Sequence, residues 1–304
     1  MRALLYDADA PGGLVLGEVP DPVARPSEAL VGVAAISVNF ADVAFPDLQV
    51  PGTVPGFDAA GVVLAAAADG SGPAVGTRVA TFGWSGGWAE RRVVEAGELA
   101  PVPDAVDLGL AAAVPVAGVT ALRALRRLGS LVGRRVLITG ASGGVGRFAV
   151  QLAARAGAHV VASVGTAERG EGLTALGAAE VAVQLDGVTG PFHGGLDNVG
   201  GSTLAQVYGL LAPGGSVQSV GMASLEPTTI DFEQARHTGG GSRIEAFAVG
   251  PGFGPDLAYL LGLVASGNLD PQVGWRGPWE KAPDAVAALL GRQVRGKAVL
   301  DVAS

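Results

Sequence analysis

Thr139-Gly140-Ala141-Ser142-Gly143-Gly144-Val145-Gly146 decides the fold. The stretch follows a short β-type run, 135–139. It precedes a segment, 146–156, that carries Phe148 and Leu152 on one helical face and closes at Gly157. A glycine-rich turn between a strand and a helix is the context that makes such a motif informative. Small residues let backbone N–H groups approach a pyrophosphate, and the helix beginning near Gly144 aims its positive end at that anion. Ser142, Gly143, Gly144 and Val145 are therefore read as the phosphate cradle, and Gly146 as the point of close helix–strand packing. Ala141 stands where the first glycine of the G-x-G-x-x-G form is expected, so the motif is a variant.

Downstream, strand-like runs recur at 159–164, 181–183, 196–199, 217–220 and 244–249, separated by a dozen or more residues. That is the rhythm of a doubly wound parallel sheet. Upstream, the apolar runs 30–38, 59–66 and 77–82 are divided by Pro/Gly clusters, which predicts a compact, partly open barrel. Between the two regions Val116, Val119, Leu122 and Leu125 keep helical spacing, with Gly129 as the stop. The tail predicts helices over 256–265 and 283–290 and a last strand over 297–302. The division expected is 1–120 for a substrate domain, 121–254 for a dinucleotide domain, and 255–304 returning to the first.

The end of the second strand of the parallel region selects the nucleotide. An Asp or Glu there would hold the ribose hydroxyls of NAD. The chain has Ser163-Val164-Gly165-Thr166-Ala167-Glu168-Arg169 instead. Ser163 and Thr166 offer hydrogen bonds beside Gly165, and Arg169 can pair with a 2′-phosphate. The expectation is NADPH.

Composition narrows the rest. The 304 residues carry a net charge of −8 and no cysteine, so disulfides and thiolate chemistry are impossible. Mean hydropathy is +0.41 and 49% of residues are hydrophobic, which favours an ordered globular chain. No basic stripe suggests nucleic acid; Arg126–Arg127 and Arg134–Arg135 read as a solvated helix end and a strand start. No signal segment and no apolar span of ~20 residues is present, so the expectation is a cytoplasmic protein without membrane contact. His159 reads as structural at a strand start, and His193 and His237 as surface residues in glycine-rich loops.

A series of landmarks then carries a resemblance. They are residues 38–43 (Val-Asn-Phe-Ala-Asp-Val), 55–61 (Pro-Gly-Phe-Asp-Ala-Ala-Gly), 76–79, 118–121, 197–201 (Asp-Asn-Val-Gly-Gly), 211–215 and 296–300 (Gly-Lys-Ala-Val-Leu). In this order, and over nearly the whole length, the chain resembles the medium-chain dehydrogenase/reductases, in their quinone oxidoreductase and enoyl reductase branch. The resemblance implies a GroES-like partly open β-barrel domain plus a Rossmann domain, with the cofactor in a cleft and a homodimeric assembly. It implies that Asn39 and Thr120 lie near the nicotinamide, Asn39 in the catalytic role. Val220, Gly221 and Met222, with the strand around Phe247 and Val249, would wall the pocket, and Asn198 belongs to the same set. Plainer readings stand beside these: Asn39 bonding its own loop backbone, Thr120 capping a helix start, Asn198 closing a turn.

Zinc enzymes of this superfamily carry histidine and glutamate where this chain has Phe57 and Asp58, so no metal site is expected. A metal-free site suits hydride transfer to a quinone or to the activated C=C bond of an enone or enal, where the protein positions the partners and stabilises an enolate. A dedicated enoyl reductase of a biosynthetic pathway and a non-catalytic NADPH-binding protein remain alternatives. Two tyrosines of related enzymes are replaced, the first at Val50 and the second at Gln184. No dedicated side-chain acid is therefore expected, the proton coming from solvent or from an unidentified group, and Asp42 is read as structural.

Overall fold

The computed structural model describes residues 1–233, 236 and 240–302. They form two compact units, Met1–Val119 with Pro251–Ser304, and Thr120–Gly250.

The first unit begins with β1 (Arg2–Tyr6) and β2 (Leu14–Glu18), an antiparallel pair. β3 (Glu28–Val38) follows, then the single turn α1 (Phe40–Val43), β4 (Asp58–Ala65), β5 (Arg78–Phe82), β6 (Arg91–Glu95), β7 (Leu99–Pro101) and α2 (Leu108–Ala112). β3 is the spine. Eleven residues long and almost continuously apolar, it is buried on both faces, as such a run requires. It pairs antiparallel with β4 along one edge and with β6 over its first residues along the other.

Pro115 opens α3 (Pro115–Arg127), where its fixed φ and missing N–H cost nothing. The second unit then runs β8 (Arg135–Ile138), α4 (Gly144–Arg155), β9 (His159–Val164), β10 (Glu180–Val183), β11 (Phe192–Asp197), α5 (Gly201–Gly209), β12 (Leu211–Ser219) and β13 (Arg243–Ala246). All pairings are parallel, in the order β10-β9-β8-β11-β12-β13. Leu137, Val161, Phe192 and Val217 centre its core.

The chain returns to the first unit with α6 (Gly254–Ala265), β14 (Val273–Pro278), α7 (Ala282–Leu290) and β15 (Lys297–Asp301). β15 pairs antiparallel with the C-terminal half of β3, Ala298 opposite Val38, and parallel with β14. The seven-stranded sheet is thus completed by the last strand of the chain. Leu300, Ala298, Trp279 and Ile36 pack in one core with Trp88 and Leu4.

The fold class agrees with the sequence reading, a sheet domain followed by a parallel-sheet α/β domain; the details correct it. Residues 247–249 are not strand. β13 stops at Ala246 because the next carbonyls are taken elsewhere: Arg123 donates to Val249 O at 2.7 Å and Arg127 to Ala248 O at 3.1 Å. Arg127, exposed as read, also lies over the Phe247 ring at 4.6 Å. His193 is in β11 rather than a surface loop, its Nε2 3.0 Å from Leu128 O. His159 opens β9 as expected and pairs with Glu180 at 2.7 Å, and His237 lies outside the described residues. The link from β9 to β10 is a 3₁₀ turn, Glu168–Gly170, with further turns and no α-helix.

Leu300 is fully buried in the strand that completes the first unit's sheet. Leu300→Ala is expected to cost about 2–5 kcal/mol, read as a lower urea midpoint at unchanged slope.

Candidate functional site

In the second unit the glycine turn has the conformation the motif demands. Gly140 takes φ +57°, which side-chain-bearing residues rarely adopt. A Cβ on Gly146 would lie 2.5 Å from Gly140 O and 2.6 Å from Ala141 Cα, so only glycine lets α4 settle against the turn. α4 starts at Gly144 with Gly143 as its cap residue. The first-turn amides of a helix have no intrahelical acceptor and serve an anion. Gly143, Gly144 and Val145 are partly exposed, while Ala141 and Ser142 are buried.

Two acceptors lock this turn to β11. Thr139 Oγ1 donates to Asp197 Oδ1 at 2.5 Å, and Asn198 Nδ2 donates to Thr139 O at 2.8 Å. Gly200 N supplies Asp197 Oδ2 at 2.7 Å. Asp197 is fully buried, and desolvation raises its pKa against those hydrogen bonds. Asn198 thus ties β11 to the turn, beyond closing its own loop. Val220 N and Gly221 N both donate to Asp197 O, at 2.8 and 3.1 Å, which brings the segment after β12 alongside. Met222 there is 45% exposed.

At the end of β9, Arg169 Nε donates to Ser142 Oγ at 3.0 Å, so the proposed phosphate partner is seated against the cradle. Thr166 and Gly165 are exposed. Ser163 is buried and donates to Gln184 O at 2.6 Å, so its hydroxyl hydrogen is spent within the sheet. Gln184 itself takes φ 55°. Sequence reasoning missed Arg147, buried in the first turn of α4, which holds Ser142 O at 3.3 Å and Glu171 O at 2.9 Å. An arginine inside a glycine-rich helix start was the available signal. Thr120 is buried well inside α3 and is not a helix cap, because Pro115 begins the helix five residues earlier.

In the first unit, Asn39 sits between β3 and α1 within a buried group of ionisable side chains. Asp42 Oδ2 accepts from Asn39 N at 2.7 Å and from Nδ2 at 3.1 Å. Asp58, the first residue of β4, accepts Asn39 Nδ2 on Oδ2 at 2.9 Å and Val116 N on Oδ1 at 2.9 Å. The second bond places a carboxylate at the N-terminus of α3, where the helix dipole favours it. Lys297 Nζ lies 2.5 Å from Asn39 Oδ1 and 3.5 Å from Asp58 Oδ2. Both hydrogens of the Asn39 amide are consequently committed inside the protein. Arg92 closes the group, donating to Phe57 O and Thr81 Oγ1. Desolvation dominates the titrations: Asp42 is raised to about 7 with Asp58 adding repulsion, Arg92 is lowered to about 10, Asp58 is raised and Lys297 lowered.

Phe57 packs with aromatic rings. Its centroid is 6.4 Å from Phe82 and 6.0 Å from Trp84, and Phe82 stacks on Phe253 at 3.8 Å. Among the described residues no group of three or more His, Cys, Asp or Glu could hold a metal ion, and no helix is long and apolar enough to cross a membrane.

Known proteins give the same picture. Residues 25–104 match the alcohol dehydrogenase GroES-like domain and residues 176–300 the zinc-binding dehydrogenase family. The chain is 33% identical over 262 residues to an acrylyl-CoA reductase of Ruegeria pomeroyi, spanning 76% of this chain and 78% of that one. It is 36% identical over 304 residues to the erythronolide synthase EryA2 of Saccharopolyspora erythraea, covering 93% of this chain but 8% of that protein. Among solved structures, the quinone oxidoreductase of Coxiella burnetii superposes with TM-score 0.87 at 26% identity, over 100% of this chain and 99% of that one. A mycobacterial protein complexed with NADPH does so with TM-score 0.88 at 28% identity, over 99% of each chain.

The raised pKa of Asp42 sets a pH dependence. The folded state keeps this proton up to about pH 7 while the unfolded chain loses it near the ordinary value of 3.8. Between those values the native state binds more protons, so stability falls as pH rises, with a limiting slope of about 1.4 kcal/mol per pH unit for one group. Urea titrations from pH 4 to 8 are expected to show this loss in the wild type relative to Asp42→Asn, flattening above pH 7.

Proposed function

The chain belongs to the medium-chain dehydrogenase/reductases, in their quinone oxidoreductase branch, and from that premise we propose that it reduces quinones or activated C=C bonds of enones and enals with NADPH. The observation that carries this reading is the cradle at Gly140–Gly146 with Arg169 bonded to Ser142 beside it. The fit is chemical. First-turn amides of Gly144 and Val145 suit the pyrophosphate, and a guanidinium with no carboxylate at Ser163 suits a 2′-phosphate. Gly165 and Thr166 are exposed at the same strand end. Asn198 orders the turn, and Thr120, Val220, Gly221, Met222, Phe247 and Val249 complete the set proposed to meet the cofactor.

Bound NADPH supplies the hydride. The protein's part is to position the acceptor, exclude water and leave the enolate oxygen to dipoles rather than to a metal. The amide hydrogens of Asn39 are spent on Asp42 and Asp58 and its backbone N–H on Asp42, so its proposed part is to hold the loop that opens α1. No side-chain acid is assigned; the proton comes from solvent. The catalytic part is residues 1–120 with 255–304, the cofactor part 121–254. A hydrophobic conjugated carbonyl or quinone is the substrate class, supported by the exposed Trp84 and its aromatic neighbours around Phe57. The acyl thioester acted on by the acrylyl-CoA reductase, and the match to a synthase, favour a biosynthetic enoyl reductase as the second reading. A homodimer in the cytoplasm is the proposed state, to be checked by sedimentation and fractionation.

Stopped-flow mixing of the NADPH-loaded protein with quinones, enones, 2-alkenals and an acryloyl thioester is expected to show rapid loss of absorbance at the nicotinamide band with at least one acceptor. Tight NADPH binding with no turnover of any would leave a binding protein. Arg169→Ala is expected to weaken NADPH at least about tenfold more than NADH, in line with the ~1.5–3 kcal/mol of a charge-assisted hydrogen bond. Equal losses for both nucleotides in fluorescence titration would overturn the 2′-phosphate assignment.

A further inference from the structure

Lys297 is one of two lysines in the chain, and it is 3% exposed. Burying an ammonium in a sheet core is costly unless it answers another charge or a fixed dipole. It answers both: Asn39 Oδ1 at 2.5 Å and Asp58 Oδ2 at 3.5 Å. Asn39 is 258 residues away in sequence, and the contact is made because β15 pairs with the end of β3, Ala298 opposite Val38. A primary amide has one acceptor and one donor end. With an ammonium at one side and the acceptor oxygens Asp42 Oδ2 and Asp58 Oδ2 at the other, only one orientation of Asn39 satisfies all three. We propose that Lys297 is a positioning residue: from the last strand it fixes the Asn39 side chain with its oxygen inward, and through Asn39 it sets the backbone that opens α1.

Among the described residues, the neighbouring donors whose bonds are seen are engaged elsewhere. Asp42 and Asp58 are acceptors when ionised, and Arg92 is engaged with Phe57 O, Thr81 Oγ1 and Ser85 O. Arg292 lies over the Phe40 ring at 4.6 Å, and Gln49 Nε2 donates to Asp42 O. Burial lowers the Lys297 pKa while Asp58 and Asp42 oppose the shift, so the lysine's own charge depends on the pair it organises.

The kinetic part of this assignment rests on the reductase reading, and the test separates the two. Removing Lys297 alone would strand Asp58 in the core, so the informative variant is Lys297→Met with Asp58→Asn, which deletes both charges. In ¹⁵N spectra the Asn39 side-chain amide pair of the wild type is expected to exchange slowly with solvent and to lie apart from exposed asparagines. In the double variant it should move towards them. The kcat with the best acceptor is expected to fall about tenfold or more. Fast exchange of the Asn39 amide in the wild-type protein overturns the proposal, whether or not the variant folds. So does a folded variant with unmoved Asn39 resonances, or one with wild-type kcat. If the wild type reduces no acceptor, the reductase reading fails while the spectra still decide whether Lys297 orients Asn39.

Discussion

The first unit is organised around charge that has been taken out of water. Lys297 and Asp58 are 3% and 0% exposed, with Asp42 and Arg92 close by. A buried ion pair adds little net stability, but losing one partner is severe, about 3–5 kcal/mol, because the other is left uncompensated. Such a group acts as a constraint on geometry more than as a source of binding energy. It can be satisfied only if the end of β3, the start of β4, the start of α3 and the last strand arrive together. The hydrophobic cores on either side of β3 would tolerate a slipped strand better than this cluster does.

Asp58 shows how the constraint propagates. One oxygen faces Asn39 and Lys297, and the other takes Val116 N at the head of α3. Asp58 is therefore used to anchor a helix, while its neighbour Phe57 joins a stack of aromatic rings.

The legibility of these features in the sequence follows their range. The cradle was readable because its signal is local: a strand, glycines at set spacing and a helix within twenty residues. The long apolar β3 and the alternation after Pro115 were readable for the same reason. The lysine–asparagine contact was not, since nothing in Gly296–Lys297 says that it meets Asn39 across the whole chain. The plainer reading of Thr120 as a helix cap fails because Pro115 starts the helix five residues earlier. The strand expected through Val249 ends early because Arg123 and Arg127 claim its carbonyls, and periodicity carries no trace of that competition. β1, β2, β6, β7 and β14 were missed outright; each is only three to six residues long, too short for a periodic pattern to stand out.

The two units solve the problem of a buried acid in the same way, and the solution bears on function. Asp58 begins a strand and Asp197 ends one; each has its oxygens met by backbone amides and side-chain donors, one amide at Asp58 and two at Asp197. In the second unit this matters because Asp197 sits behind the glycine turn, where a free carboxylate would repel an anion. With its charge shared between Thr139 Oγ1 and Gly200 N, it braces the turn from the side away from the helix start. The backbone of Gly143, Gly144 and Val145 stays partly exposed at the helix start, where first-turn amides lack intrahelical acceptors. The glycines shape the turn, and the acid behind them holds that shape.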